Sequence, residues 1–145
     1  DKLDKAELAT HGFAIVAKLE HASANVRRAA VLALKLLETT VLATHGAALV
    51  GRLEDSDEHV RDEALSALDK LDKAELATHG SAIVDKLDNL NIGVRVTAMR
   101  ALKKLEDPAL AMLAGAIIAK LDYSNEETCF KAFRLISNLQ TSRLG

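Results

Sequence analysis

The twelve residues DKLDKAELATHG occur twice, at 1–12 and again at 69–80, an offset of 68 positions. Half that offset recovers the whole chain. At a shift of 34, LATHGFAIVAKLE (8–20) returns as LATHGAALVGRLE (42–54), LATHGSAIVDKLD (76–88) and LAMLAGAIIAKLD (110–122). Between these segments, NVRRAAVLALKLL (25–37) returns as HVRDEALSALDKL (59–71), GVRVTAMRALKKL (93–105) and ETCFKAFRLISNL (127–139). A fixed period of roughly 20–50 residues marks an array of small units, none able to bury its apolar face alone. The repeats run 4–37, 38–71, 72–105 and 106–145 within a single domain 1–145. Leu3 falls in the column of Leu37, Leu71, Leu105 and Leu139, so residues 1–3 read as the tail of a preceding repeat and the chain as part of a longer array. The twelve-residue identity includes positions such as Lys5 and Glu7 that core packing does not dictate, which points to duplication of a two-repeat block.

Each segment carries helical spacing. In the first segments the apolar columns are Leu8/Leu42/Leu76/Leu110, Ile15/Leu49/Ile83/Ile117, Val16/Val50/Val84/Ile118 and Leu19/Leu53/Leu87/Leu121. These offsets form one helical stripe, which the column Gly12/Gly46/Gly80/Ala114 completes. A glycine inside a helix costs roughly 0.5–1 kcal/mol against alanine, so its recurrence suggests close passage of another helix backbone. In the second segments the stripe is Val26, Ala30, Ala33, Leu34 and Leu37 with its counterparts. DKAE at Asp4–Glu7 and Asp72–Glu75, and SNEE at Ser124–Glu127, have capping-box spacing. Asp107-Pro108 reads as a cap followed by a proline at the first helical position. Ala and Leu dominate, only four residues are aromatic and one is proline, and nothing alternates with the period of a strand. An all-α fold is expected.

Other totals narrow the function. Nineteen basic against 21 acidic residues argue against a nucleic-acid binder held by phosphate contacts. No apolar run approaches the ~20 residues that cross a bilayer. A single cysteine excludes an intramolecular disulfide framework and fits a reducing compartment.

Thirty-four residues is also the tetratricopeptide period, but that repeat's Trp, Leu-Gly and Tyr signature is missing. The second segments instead share V-R-x-x-A-x-x-A-L, in VRRAAVLAL (26–34), VRDEALSAL (60–68) and VRVTAMRAL (94–102), with Asp57 and Asn91 three positions before the valine. This resembles the HEAT-like repeat family, in its alanine-rich, phycobilin-lyase-type branch. The resemblance covers essentially the whole chain and implies a right-handed α-solenoid of four two-helix repeats. The fourth repeat departs from it, with Thr128 and Cys129 in place of Val-Arg. Most members of such a family are scaffolds or binding modules, and a few are enzymes.

Candidate chemistry is sparse. His11, His45 and His79 form a column, but equivalent positions of stacked helices lie ~8–10 Å apart. A shared metal needs ligands at about 2.0–2.1 Å, so the column reads as packing at the repeat interface. The HEAT-like deoxyhypusine hydroxylase holds iron through His-Glu pairs on its second helices. Here the matching places read RDEA (61–64), RRAA, RVTA and CFKA, with no His-Glu pair. Cys129 has no histidine in its repeat to activate it and reads as a small apolar filler. The resemblance implies that Arg27, Arg61 and Arg95 form a structural ladder to Asp57-like residues and turn carbonyls. No catalytic residue, cofactor or metal is therefore expected.

What varies is surface. The outward ridge of the second helices reads Arg28/Leu32/Lys35, Asp62/Ser66/Asp69, Val96/Arg100/Lys103 and Phe130/Arg134/Ser137, while the core columns barely change. The family resemblance places these helices on a concave binding face. The expected function is a non-catalytic protein-binding scaffold, its contact residues Arg28, Leu32, Asp62, Val96, Arg100, Phe130 and Arg134. The partner is a protein or a second copy of the chain, not nucleic acid or membrane. Phe133 replaces Val31, Leu65 and Met99 and is expected in the core, whereas Phe130 is expected at least partly exposed. Two rivals stand. A phycobilin-lyase-type groove for a tetrapyrrole would have only Phe13, Tyr123, Phe130 and Phe133 as its aromatic lining. A purely architectural or self-assembling array is the other.

Overall fold

The computed structural model describes residues 7, 10–121 and 125–144, with side chains as far as 139. Leu3, Leu8, Asp4, Tyr123 and Ser124 lie outside the described residues. Ten α-helices account for the described secondary structure, with two 3-10 turns and no strand among the described residues. In chain order they are α1 (Gly12–Ala17), α2 (Ala24–Lys35), α3 (Thr39–Ala43), α4 (Gly46–Gly51), α5 (Glu58–Leu68), α6 (Lys73–Thr78), α7 (Gly80–Val84), α8 (Ile92–Leu102), α9 (Asp107–Lys120) and α10 (Glu126–Leu144). The 3-10 turns, Lys18–Glu20 and Arg52–Glu54, prolong α1 and α4. The all-α expectation holds.

The chain divides into two compact units, Asp1–Glu75 and Leu76–Gly145, the division falling inside α6. In the first, α1 packs on α2, α4 on α5, and α2 on α5. Val31, Leu34, Leu42, Leu49 and Val60 are fully buried there. In the second, α7 packs on α8 and α9, while α10 packs on both α8 and α9. Ile83, Ala98, Leu102 and Ile117 form its interior. Each fully buried leucine or isoleucine contributes about 1.5–3 kcal/mol relative to an exposed one, which makes these columns the main stabilising term.

In the first three repeats the first segments are not single helices, contrary to the stripe reading. The Thr-His-Gly step breaks them. Thr44 donates its hydroxyl to the Val41 carbonyl at 2.7 Å, and its N–H bonds the same carbonyl at 3.1 Å. The His45 N–H bonds Leu42 O, again three residues back, and the His45 backbone sits at φ −107°, ψ 11° before α4 begins. Thr10 makes the same hydroxyl bond to Glu7 O. A threonine hydroxyl competing for a helix carbonyl, followed by glycine, tips the chain out of the α ladder. The fourth repeat has Met112 and Ala114 in those places, both good helix formers, and α9 runs unbroken for 14 residues.

Short polar side chains cap the second helices α5, α8 and α10, whereas Ser23 ahead of α2 makes no side-chain cap bond. Asp57 accepts from the His59 and Val60 N–H groups at 2.9 and 3.1 Å, and Asn91 from the Gly93 N–H at 2.7 Å. Asn125 accepts from the Thr128 N–H at 3.1 Å, so a capping side chain of α10 is Asn125. Asp72 accepts from the Glu75 N–H at 2.7 Å, as half of a capping box would. Helix α9 begins at Asp107 with Glu106 at its cap, one residue ahead of the expected start.

The glycine column is also corrected. It faces a side chain from the next repeat, not a helix backbone. A Cβ on Gly12 would lie 2.7 Å from His45 Nε2, and one on Gly80 would lie 2.7 Å from Leu113 Cδ1. His45 and Leu113 occupy the same column, so a histidine or leucine knob seats on the preceding glycine. Gly115, within α9, has nothing within 4 Å of such a Cβ. Gly12→Ala should therefore destabilise the protein by about 1–3 kcal/mol through overpacking on buried His45. Gly115→Ala should stabilise it by about 0.5–1 kcal/mol through helix propensity alone. Thermal melts of both variants decide this, and equal shifts in the same direction would contradict the knob-on-glycine packing.

Candidate functional site

The ridge is positioned by the turn that precedes each second helix. That turn opens with a side-chain acceptor one repeat apart: His21 Nδ1, Asp55 Oδ1 and Asn89 Oδ1 accept from the N–H of Ser23, Asp57 and Asn91 at 3.0, 2.9 and 2.9 Å. Its two remaining carbonyls are taken by an arginine. Arg27 donates to His21 O and Ala22 O, Arg61 to Asp55 O and Ser56 O, and Arg95 to Asn89 O and Leu90 O, at 2.7–3.3 Å. The arginine column is thus a ladder to turn carbonyls. Asp57 and Asn91, expected as further rungs, serve as helix caps.

Asp55 ties the first two repeats together. Its carboxylate receives Arg27 Nε and Nη2 at 2.8 and 2.9 Å, a bidentate pair, and Arg52 Nη1 at 3.3 Å. Arg52 in turn donates to Leu19 O at 2.9 Å and pairs with Glu20 at 3.2 Å. The Asp55 side chain is only 2 % exposed. Burial alone would raise its carboxyl; the Arg27 hydrogen bond, the Asp57 N–H and the charges of Arg27 and Arg52 outweigh burial and hold it below the usual carboxylate range.

On the ridge of the first unit, Arg28 and Lys35 on α2 reach Glu63 on α5 at 3.6 and 3.2 Å. Leu32, between them in sequence, is 41 % exposed, and Asp62 is exposed on α5. In the second unit Arg100 and Arg134 are exposed and Phe130 is 64 % exposed. Half-buried Val96 lines a small groove with Ile92, Glu127 and Lys131. Arg134 lines a separate cleft of about 450 Å³ with Lys103, Lys131 and a floor of Leu105, Leu110 and Leu135. Phe130 lines neither. Phe133 is 44 % exposed although Val31 and Met99 in its column are buried, because burial follows the neighbouring helix and not the column.

The histidines have packing and turn roles. His45 is buried on Gly12 and meets the Phe13 ring edge-on at 5.6 Å between centroids. His11 is exposed, and His21 accepts within its turn. Among the described residues no three His, Cys, Asp or Glu side chains are placed to share a metal ion. Cys129 is buried. Among the described residues no helix is long and apolar enough to cross a membrane.

Asp55 and Arg52 lie outside the shared V-R motif and Glu63 at one of its variable positions, so the sequence did not single them out. Asp55 did leave a signal. His21, Asp55 and Asn89 all carry an acceptor two positions before Ser23, Asp57 and Asn91. Compared with known proteins, the chain matches no protein-family model. No curated protein matches it significantly either.

Asp55→Ala should cost about 2–3 kcal/mol, less than a fully buried pair because Arg27 keeps its two turn carbonyls. Because the folded-state pKa of Asp55 is depressed, its contribution is complete above the unfolded value near ~3.9 and is lost as pH falls through the lower folded value. Acid titrations of stability should accordingly be shallower between those two values in Asp55→Asn than in the wild type. Parallel curves would remove Asp55 from its tethering role.

Proposed function

We propose that the chain is a non-catalytic protein-binding scaffold, a right-handed α-solenoid of four HEAT-like helical pairs. The second helices present the recognition surface. One observation carries this reading. The turn wiring recurs at His21/Arg27, Asp55/Arg61 and Asn89/Arg95 with a constant spacing of 34 residues. The outward positions on the same helices, meanwhile, carry unrelated side chains: Arg28 and Leu32, Asp62 and Ser66, Val96 and Arg100. A frame held constant beneath a changing surface is what selective binding requires, and repeat arrays use their extended faces in this way. The sparse aromatic set and the absence of a His-Glu pair weigh against the tetrapyrrole-groove and hydroxylase alternatives.

The test is site-specific photo-crosslinking in extract from the source cells. A photoreactive residue at Leu32, Asp62 or Arg100 should give discrete, reproducible adducts. The same residue at exposed first-segment positions such as Ala47 or Ala82 should give none. Adduct yields that do not differ between the two sets would reject the ridge as the binding surface.

A further inference from the structure

The first and fourth repeats each expose residues whose counterparts in adjoining repeats are buried. In the first, Ile15, Val26 and Ala33 are half-buried, whereas Leu49, Val60 and Ala67 in the same columns are buried, α5 packing on α2. Together with Ala29 and Ala30 they line an apolar groove of about 290 Å³, with Lys18 at its edge. In the fourth, Ile118 is 45 % and Phe133 44 % exposed, while Val84 and Met99 in their columns are buried, α9 packing on α7 and α10 on α8. The first-repeat face is a groove, and the fourth-repeat face is a ridge.

The charges say which partner fits. Where α2 meets α5, Arg27 reaches Asp55, and Arg28 and Lys35 reach Glu63. In the fourth repeat the columns of Arg27, Arg28 and Lys35 hold Cys129, Phe130 and Ser137. In the first repeat the columns of Asp55 and Glu63 hold His21 and Ala29. Both sides of the contact have lost their charges together. Stacking a fourth repeat on a first repeat in the register of α2 on α5 sets Phe130 against Ala29 and Cys129 toward His21. No guanidinium, ammonium or carboxylate of those columns is then buried alone, which would otherwise oppose the contact.

We propose that the chain associates head to tail with a second copy of itself, α10 of one copy docking on α2 of the other. Phe130 and Phe133, three residues apart and so on one side of α10, enter the groove of Ile15, Val26, Ala29 and Ala33. The first-helix knob takes no part, because Ala114 fills the place that Gly12 and Gly80 leave open for His45 and Leu113. Such a contact joins two different surfaces, so each added copy leaves one of each free, and species grow with concentration. Phe130 thereby belongs to the end contact. The scaffold reading is tested at other residues, so either proposal can fail without the other.

Sedimentation velocity on the purified chain across a wide concentration range tests this. The wild type should show a weight-average mass rising beyond the monomer. Phe130→Ser and Ala29→Glu, which damage opposite faces, should each weaken association tenfold or more, in line with loss of an interface anchor. Circular dichroism should show the wild-type helical content in both variants. The decisive sample is their mixture. Phe130→Ser keeps its groove and Ala29→Glu keeps its aromatic ridge, so together they should form a complex that stops at one copy of each. A wild type that stays monomeric, or a mixture that does not associate, overturns the proposal.

Discussion

Everything else in the structure depends on how the second helices α2, α5 and α8 are fastened to the turns before them. The fourth residue of α2, α5 and α8 is an arginine whose guanidinium folds back on the carbonyls six and five positions earlier. Those carbonyls have left the preceding helical turn and have no amide partner in the ladder, and an unsatisfied one is costly to bury. Nη1 alone donates to both carbonyls, which leaves the rest of the guanidinium for a further partner, Asp55 for Arg27 and Thr128 for Arg95; the single nitrogen of lysine could not serve both. Before α5 and α8, with the side-chain acceptor at the head of the turn and the cap at its end, the turn is bonded at its start, middle and exit. The helix direction is thereby set, and with it the faces that reach the core and the solvent.

The arginine fastening recurs in the first three repeats, but the ties between repeats differ. In the first unit they are ionic, through Asp55 and Glu63. In the second, Arg95 reaches the Thr128 hydroxyl at 3.3 Å, and Lys120 reaches Asp85 and Asp88 at 3.7 and 3.4 Å. The surface columns can change freely because no core contact depends on them. This freedom underlies both proposals. Outward positions diversify toward a partner, while the facing columns at the first and fourth repeats lose their charges in a matched way.

The period made much of this legible. Segments 25–37, 59–71 and 93–105 contain α2, α5 and α8 to within one residue at their starts, since apolar periodicity and the capping aspartate and asparagine act over short distances. The kink at Thr44–His45 was hidden because Leu42, Leu49 and Leu53 stay buried whether or not the helix breaks between them; a single hydroxyl bond decides the matter. The exposure of Phe133 was hidden for a different reason. Column membership records what a position faces, and only the neighbouring helices determine whether that face is covered. Asp55 was illegible as a partner of Arg27 because the two stand 28 residues apart, a spacing set by how α2 meets α5 and not by the repeat.

Residue-resolved amide hydrogen exchange tests the turn fastening most directly. The Asp57 and Asn91 N–H groups lie outside the helices but donate to the Asp55 and Asn89 side chains. They should exchange at least an order of magnitude more slowly than free turn amides, in the same cooperative unit as the helices that follow them. Arg61→Gln should abolish that protection at Asp57 while leaving Asn91 unchanged. Free exchange at both amides in the wild type, or protection at Asp57 that survives the loss of Arg61, would contradict the account.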